Sequence, residues 1–436
     1  MDSRLRGNDR ENGRYRNRLE ATVEKSFLWI TLICLIPWTT PQGLGADVAT
    51  WNCEVFPSER EVTFDEESGA KVTFVTGTSG DDVNLYFHQR SWLPDGSLLF
   101  FFRQEEDGPR TFSAYLEETG EIVRIQKPDQ SLFGLPTAAR YANEVYVAHD
   151  QALWAWEIET VFEPKTRVTV TEKKICDIPE EMGSLSGLNE NSDGTRLVFG
   201  GPVKDSTGSL IVAADKETGE IQEVARTPFP AGHIQCSWDN PDLVMFNHQR
   251  SWKWGDHNRF GGPYDHRMWL ADLSDRAPWK LYPTPATGEL TTHECWWVDN
   301  QVVFCSGTHW NQETGAEESH VKVIDVDTGV ARIIGAGSWV EGVSPRDLAK
   351  RNWWHSSGDP TGRFVAGDNW HGDIAIFSAQ SARERLLVQN HRTYGGGAHP
   401  HMGWSPDGKK LVFASNRRGN VDVCIAEIPV DWFADW

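Results

Sequence analysis

A short punctuated pattern recurs along the chain: a polar turn built on Asp or Gly, followed at once by a brief apolar run. It stands as Ser91-Trp92-Leu93-Pro94-Asp95-Gly96 before 97–102, and as Ser192-Asp193-Gly194 before 196–199. It returns as Asp359-Pro360-Thr361-Gly362 before 363–366 and as Pro406-Asp407-Gly408 before 410–414, with weaker copies at 143–148, 239–246 and 299–304. Such runs read as strands bounded by turns. A second hairpin signal, Glu118-Thr119-Gly120-Glu121, Glu217-Thr218-Gly219-Glu220 or Asp327-Thr328-Gly329-Val330, follows several of them. Turns near 95, 143, 193, 240, 299, 361 and 407 repeat every 46 to 62 residues, room for four short strands per unit. Seven such units predict an all-β, seven-bladed β-propeller of four-stranded antiparallel blades, with six or eight blades as the alternatives. Its innermost strands would line a channel, so residues at equivalent points of successive blades converge there. Helical signal is scarce, 345–351 being the best candidate, and the long spacings near 250–275 and 310–355 predict loop insertions.

Composition narrows the class. With 39% hydrophobic and 24% charged residues the chain is that of a folded globular protein. A formal charge of −21 argues against nucleic acid as partner; an anionic substrate would need its own local positive charge. The 21 tryptophans fit half-buried strands first and sugar-stacking surfaces second. Residues 1–24 are polar without apolar period. Lys25, an apolar run over 27–38 and small residues ending at Gly45-Ala46 have the layout of a signal peptide, too short to span a bilayer comfortably. The expected division is a disordered N-terminus and signal peptide over 1–46, then a catalytic propeller over 47–436. The mature chain would be periplasmic or secreted, without stable membrane insertion. Six scattered cysteines remain after Cys34, with no C-x-x-C, and predict isolated buried thiols, with one or two disulfides as the alternative.

The histidines carry the chemistry. His399 and His401, two apart in His399-Pro400-His401, project to one side of an extended segment. His355, in Trp353-Trp354-His355, holds a similar place in the preceding unit. Three imidazoles suit Mn²⁺, Ni²⁺ or Zn²⁺ better than Ca²⁺. Two strand-end histidines bonded to backbone would be the plainer reading of the pair alone. His293, in Thr292-His293-Glu294, could act as a general base or be a structural histidine; no second His follows, which excludes a zinc-protease helix. Arg267 at a channel mouth would clamp a carboxylate, or else form an exposed ion pair. His233 and His248 are candidate pocket liners, and Trp354, Trp370 and Tyr394 candidates for stacking on sugar rings. His-Gln-Arg-Ser-Trp occurs at 88–92 and 248–252, a duplication that repeat ancestry alone explains. No nucleophile elbow, P-loop or dinucleotide fingerprint is present.

Gly232-His233, Phe246-Asn247-His248, Arg267-Met268-Trp269, Thr292-His293-Glu294-x-Trp296, His355-Ser356-x-x-Asp359-x-x-Gly362 and His399-Pro400-His401, in this order, resemble the oligogalacturonate lyases, seven-bladed propeller enzymes that degrade pectin fragments. The resemblance spans roughly 75–430. It implies β-elimination on a uronic-acid oligomer, with a manganese-type ion on His355, His399 and His401, His293 as Brønsted base and Arg267 on the substrate. His233, His248 and Tyr394 would bind substrate. Two departures put the particular sugar in question. The family's fourth ligand is a Gln where this chain has Gly396, with Gln389 or His391 as conceivable substitutes, and the leader implies export where the well-known members are cytoplasmic. The rival readings are a non-catalytic exported propeller that binds or scaffolds, and a propeller glycoside hydrolase, which would need two facing carboxylates.

Overall fold

The computed structural model describes residues 48–77, 80–104, 108–249, 266–274, 277–282, 289–307 and 318–435. The leader over 1–46, and residues 250–252 of the second His-Gln-Arg-Ser-Trp copy, lie outside them. Residues from Ala46 onward form one compact unit, a seven-bladed β-propeller of antiparallel sheets. The innermost strands are Val83–Asn84, Thr137–Ala138, Gly187–Glu190, Ala231–Cys236, Leu290–Trp297, Ser356–Gly358 and Gly403–Trp404. Four blades have four strands. The other three have five, one more than expected: Glu54–Phe56 pairs with Ile122–Arg124, and Val48–Asn52 with Arg167–Asp177, each extending the outer edge of a blade.

Each of the seven turns anticipated from the sequence joins the first strand of a blade to its second. The reason is local. Asp95, Asp193 and Asp407 each accept at Oδ1 the backbone N–H two residues on, at 2.9, 3.0 and 3.1 Å, an Asx turn. The glycines that follow, Gly96, Gly194 and Gly408, take φ of 74°, 74° and 67°, which a side chain would disfavour. The later Thr-Gly signals join the third and fourth strands.

The ring is closed by the two ends of the chain. Blade 7 starts with Gly403–Trp404, Lys410–Ser415 and Asp422–Glu427 and is completed by Lys71–Phe74 and Glu61–Phe64, with Cys424 opposite Phe74. This pairing ties the first blade to the last and removes a free edge between them. Between blades the cores are apolar and rich in aromatic rings, as in Phe100, Phe112 and Trp156. Trp297 Nε1 donates to Asp359 O at 2.8 Å and Trp404 Nε1 to Ser357 O at 2.9 Å. These bonds stitch neighbouring inner strands, and they account for part of the tryptophan excess. All six cysteines among the described residues are free thiols. The expected helix is present as Pro345–Leu348, capped by the Ser344 side chain, running into a 3₁₀ turn over Ala349–Arg351. No helix among the described residues is long and apolar enough to cross a membrane.

Candidate active site

At the starts of the inner strands of blades 4 to 7 the backbone is bent to present histidines. The pairing register slips between Gly232 and Gln235, and again between Thr292 and Cys295, so His233 and His293 each sit in a bulge. Their φ values are 48° and 52°, and His401, just before Gly403–Trp404, has 49°. Left-handed backbone at a bulky residue costs roughly 1–3 kcal/mol and is sustained where the surroundings over-determine it; bulges re-aim side chains in this way.

The rings converge. Centroids of His355 lie 5.1 Å from His399 and 4.6 Å from His401, and the last two are 5.7 Å apart. His293 stands 4.0 Å from His355, and His233 6.2 Å from His293. Beneath them lies a segment that sequence reasoning passed over, Tyr86-Phe87-His88, which follows the inner strand of blade 1. Phe87, 3% exposed, meets His233, His293, His355 and His401 at 5.9, 5.8, 5.6 and 6.3 Å. It gives the cluster an apolar floor.

Three of the imidazoles, His293, His355 and His233, are oriented through Nδ1. His293 Nδ1 lies 2.7 Å from Trp354 O, which can only accept, and 2.6 Å from the Thr292 hydroxyl. Nδ1 therefore carries the proton, and a neutral ring has its lone pair at Nε2. His355 Nδ1 faces both oxygens of buried Asp368 at 3.0 Å, a carboxylate–histidine arrangement that leaves Nε2 to a ligand. His233 Nδ1 meets Glu294 Oε1 at 2.9 Å, and its Nε2 meets the Tyr86 hydroxyl at 3.2 Å.

Glu294 is the hub of the other half. Fully buried, it also receives Arg267 Nε at 2.7 Å and Asn247 Nδ2 at 2.9 Å. Arg267 is thus neither an exposed ion pair nor an isolated clamp, but a guanidinium anchored beside the histidines. Burial would raise the Glu294 carboxyl, yet Arg267 and His233 outweigh it and hold the group well below the usual carboxylate range.

Burial, and then mutual repulsion, pushes His293, His355 and His401 well below the ordinary imidazole value. Burial and Arg392 bring His399 to about 4. The rings are therefore neutral at pH 7, the form that binds metal. Burial raises Asp368 to about 7 despite the opposing pull of His399 and Arg392. A further positive charge beside His355 would restore its carboxylate.

Two tryptophans flank the cluster. Trp354 is 5.1 Å from His293, Trp370 is 5.1 Å from His399, and the two stand 4.9 Å apart. Arg392 lies over Trp370 at 4.7 Å and is itself buried, a second cation that no local pattern announced. Other candidates lie elsewhere. His248 packs on Phe229 at 4.3 Å, while its N–H bonds Arg267 O at 2.8 Å. Tyr394 stacks on His371 at 5.2 Å. Neither suggested substitute ligand joins the trio: Gln389 bonds Glu67 at 2.6 Å, and His391 bonds Ser415 Oγ at 2.8 Å against Phe413.

The donor set can be tested for fit to a divalent ion. Imidazoles on one ion, with a metal–nitrogen distance of about 2.1 Å, have centroids roughly 4.5–5.3 Å apart. Two of the three separations fall in that range and the third exceeds it by a few tenths of an ångström. Among the described residues no three His, Cys, Asp or Glu side chains stand so as to hold a metal ion as placed, so the rings would have to turn to close on one. Neutral rings, a carboxylate behind His355 and converging placement fit such an ion.

No family model matches the chain. It is 20% identical over 405 residues to the oligogalacturonide lyase of Pectobacterium atrosepticum, covering 84% of this chain and 95% of that one. The oligogalacturonate lyase of Vibrio parahaemolyticus superposes with a TM-score of 0.68 at 20% identity, over 88% of this chain and 100% of that one. An oligogalacturonate lyase in complex with manganese gives the same TM-score and identity over 87% of this chain and 99% of that one. The chain thus resembles the oligogalacturonate lyases along most of its length.

Proposed function

We propose that this protein is a metal-assisted lyase that cleaves uronic-acid oligomers by β-elimination. One observation carries the reading: the Nδ1 of His293 is committed to the Trp354 carbonyl, and the ring stands 4.0 Å from His355, whose centroid lies 5.1 and 4.6 Å from those of His399 and His401. The relatives, named as oligogalacturonide lyase and, for one structure, as a complex with manganese, support the class and the ion. Galacturonate oligomers are accordingly the first substrates to examine.

His355, His399 and His401 would hold the ion, with water completing the shell. Bound there, it supplies Lewis-acid stabilisation of the negative charge that grows on the sugar carboxylate. The remaining work falls to the chain. Arg267, its Nε fixed by Glu294, would contribute the rest of its guanidinium to the same carboxylate. His293 Nε2 takes the C5 proton; the electron pair becomes the C4=C5 double bond, the C4–O bond breaks, and the departing oxygen takes a proton from water. The products are a 4,5-unsaturated sugar and a shortened chain. Trp354 and Trp370 would stack on sugar rings, with Phe87 excluding water from below.

The test is ultraviolet absorbance of the unsaturated product on galacturonan, alginate, ulvan and glycosaminoglycan oligomers, with and without chelator. Signal on one class that chelator removes supports the proposal; silence on all four overturns it and leaves the non-catalytic propeller.

Two variants address the ion. His399→Ala should lose bound manganese and activity while keeping its melting temperature within a few degrees, since His399 stands outside the blade cores. Elemental analysis with a thermal melt reads both, and an unfolded variant would assign the ring a structural role instead. Gly396→Gln should do the opposite. Gly395 and Gly397 need φ of 78° and 70°, but a Cβ on Gly396 would meet only Thr393 O, at 3.9 Å. That position accepts a side chain, and a glutamine there should raise manganese affinity about tenfold by calorimetry. A folded variant with unchanged affinity would remove Gly396 from the neighbourhood of the ion.

A further inference from the structure

The proposed site uses the starts of the inner strands; the ends of the same strands enclose a second chamber. Cys236, Cys295, Gly358 and Trp404, each at or near the end of its strand, line a cavity of about 270 Å³ together with Phe87 to Trp92. Phe87 and His88 form the partition: they line this chamber and also touch the site histidines, Phe87 meeting His293 at 5.8 Å and His88 meeting His233 at 5.0 Å.

Several residues of the lining carry polar atoms that the chain leaves unpaired. Among the described residues, His88 Nε2, Gln89 Oε1, Ser91 Oγ, Trp92 Nε1 and Arg140 Nη2 are buried polar atoms without a hydrogen-bond partner. His88, Gln89, Ser91 and Trp92 are 7, 4, 2 and 3% exposed. Unmet donors and acceptors inside a protein each cost on the order of 1–3 kcal/mol, so five on the residues around one cavity mark a place where the chain does not supply the partners. Charge narrows its kind. Arg90 and Arg140 both line the chamber, and the buried carboxylate beside them is Glu190. Glu190 already takes Lys216 Nζ at 2.6 Å and the Tyr146 hydroxyl at 2.7 Å, besides its bonds to Arg140 N at 2.6 Å and Arg90 Nη2 at 3.5 Å. With Lys216 and Tyr146 on Glu190, and Asp239 also acting on Arg140, the unpartnered Nη2 of Arg140 is a donor left for an anion. Trp92, Trp238 and Trp404 supply flat apolar walls. The volume lies below the roughly 300–1,000 Å³ of drug-sized sites, which suits one ring and not an oligomer.

We propose that this chamber is a second, non-catalytic binding site for a small ring carboxylate, with Arg140 and its neighbouring donors on the carboxylate and the tryptophans on the ring. The ring can come from a sugar acid or from an aromatic acid. Calorimetric titration of the full chain with D-galacturonate, benzoate and methyl galactoside distinguishes them, carried out also on His399→Ala so that the histidine site does not contribute. One acid should bind at a single site in His399→Ala and at that site at least in the native protein, the neutral galactoside should not, and Arg140→Gln should weaken this binding at least tenfold. Should Arg140→Gln fail to fold, Tyr141→Ala serves. Its ring lines the chamber and is 69% exposed, so it can be removed without disturbing a core; a several-fold loss is expected. Failure of both acids to bind, equal binding of the galactoside, binding lost in His399→Ala, or binding unchanged in the Arg140 and Tyr141 variants would overturn the proposal.

Discussion

Replacing His293 by alanine is expected to lower kcat on the responsive uronate oligomer by about 10²–10⁴-fold, the usual worth of a positioned base. KM and the folded state should change little. The side chain's polar contacts are with Thr292 and Trp354 O, and His293 is only partly buried, so no core is emptied. Bound manganese should persist, because the three proposed ligands remain. Parallel initial rates, metal content and thermal melts separate these effects. A variant that keeps its ion and fold but retains more than a tenth of the rate would remove His293 from the proton transfer.

The neighbouring Glu294→Ala should act on stability instead. Glu294 receives Arg267, His233 and Asn247 at no solvent exposure. Breaking a buried charge cluster by removing one member costs roughly 3–5 kcal/mol, since the partners left behind are uncompensated. The loss should appear in urea melts as a lower midpoint. The pH dependence has a definite sign. The folded carboxyl sits below its unfolded value of about 4.3. Its stabilisation is therefore fully present above that value and lost as pH falls through the lower folded value. The gap between native protein and variant should be constant from about pH 5 to 8 and should close in more acid solution. A gap below about 1 kcal/mol at pH 7 would contradict the contacts assigned to this residue.

How far the site could be read beforehand follows from which interactions are local. The turns at 95, 193, 361 and 407 were legible because an Asx turn needs only Asp and a glycine one to three residues later; the weaker copies near 143, 240 and 299 and the blade count follow from their spacing. His399-Pro400-His401 was legible for the same reason. Convergence with His355 and His293 required only that equivalent blade positions meet at the axis. Tyr86-Phe87-His88 was not legible: it belongs to no histidine-bearing strand start, and its neighbours are brought to it by ring closure. His88-Gln89-Arg90-Ser91-Trp92 read as a mere duplicate, yet it lines the second chamber. Glu294 was visible only as the residue after a histidine, because its partners are 27, 47 and 61 positions away. Asp368 and Arg392 act by burial, which no short pattern encodes, and Tyr394 looked suitable by type but packs on His371.

The central claim is that imidazoles from two successive blades hold one divalent ion beside His293. Crystals grown with manganese, measured at a wavelength where manganese scatters anomalously, test it directly. The expected result is one strong anomalous peak about 2.1–2.3 Å from a ring nitrogen of each of His355, His399 and His401. An absent peak, or one seated away from these three rings, would contradict the account.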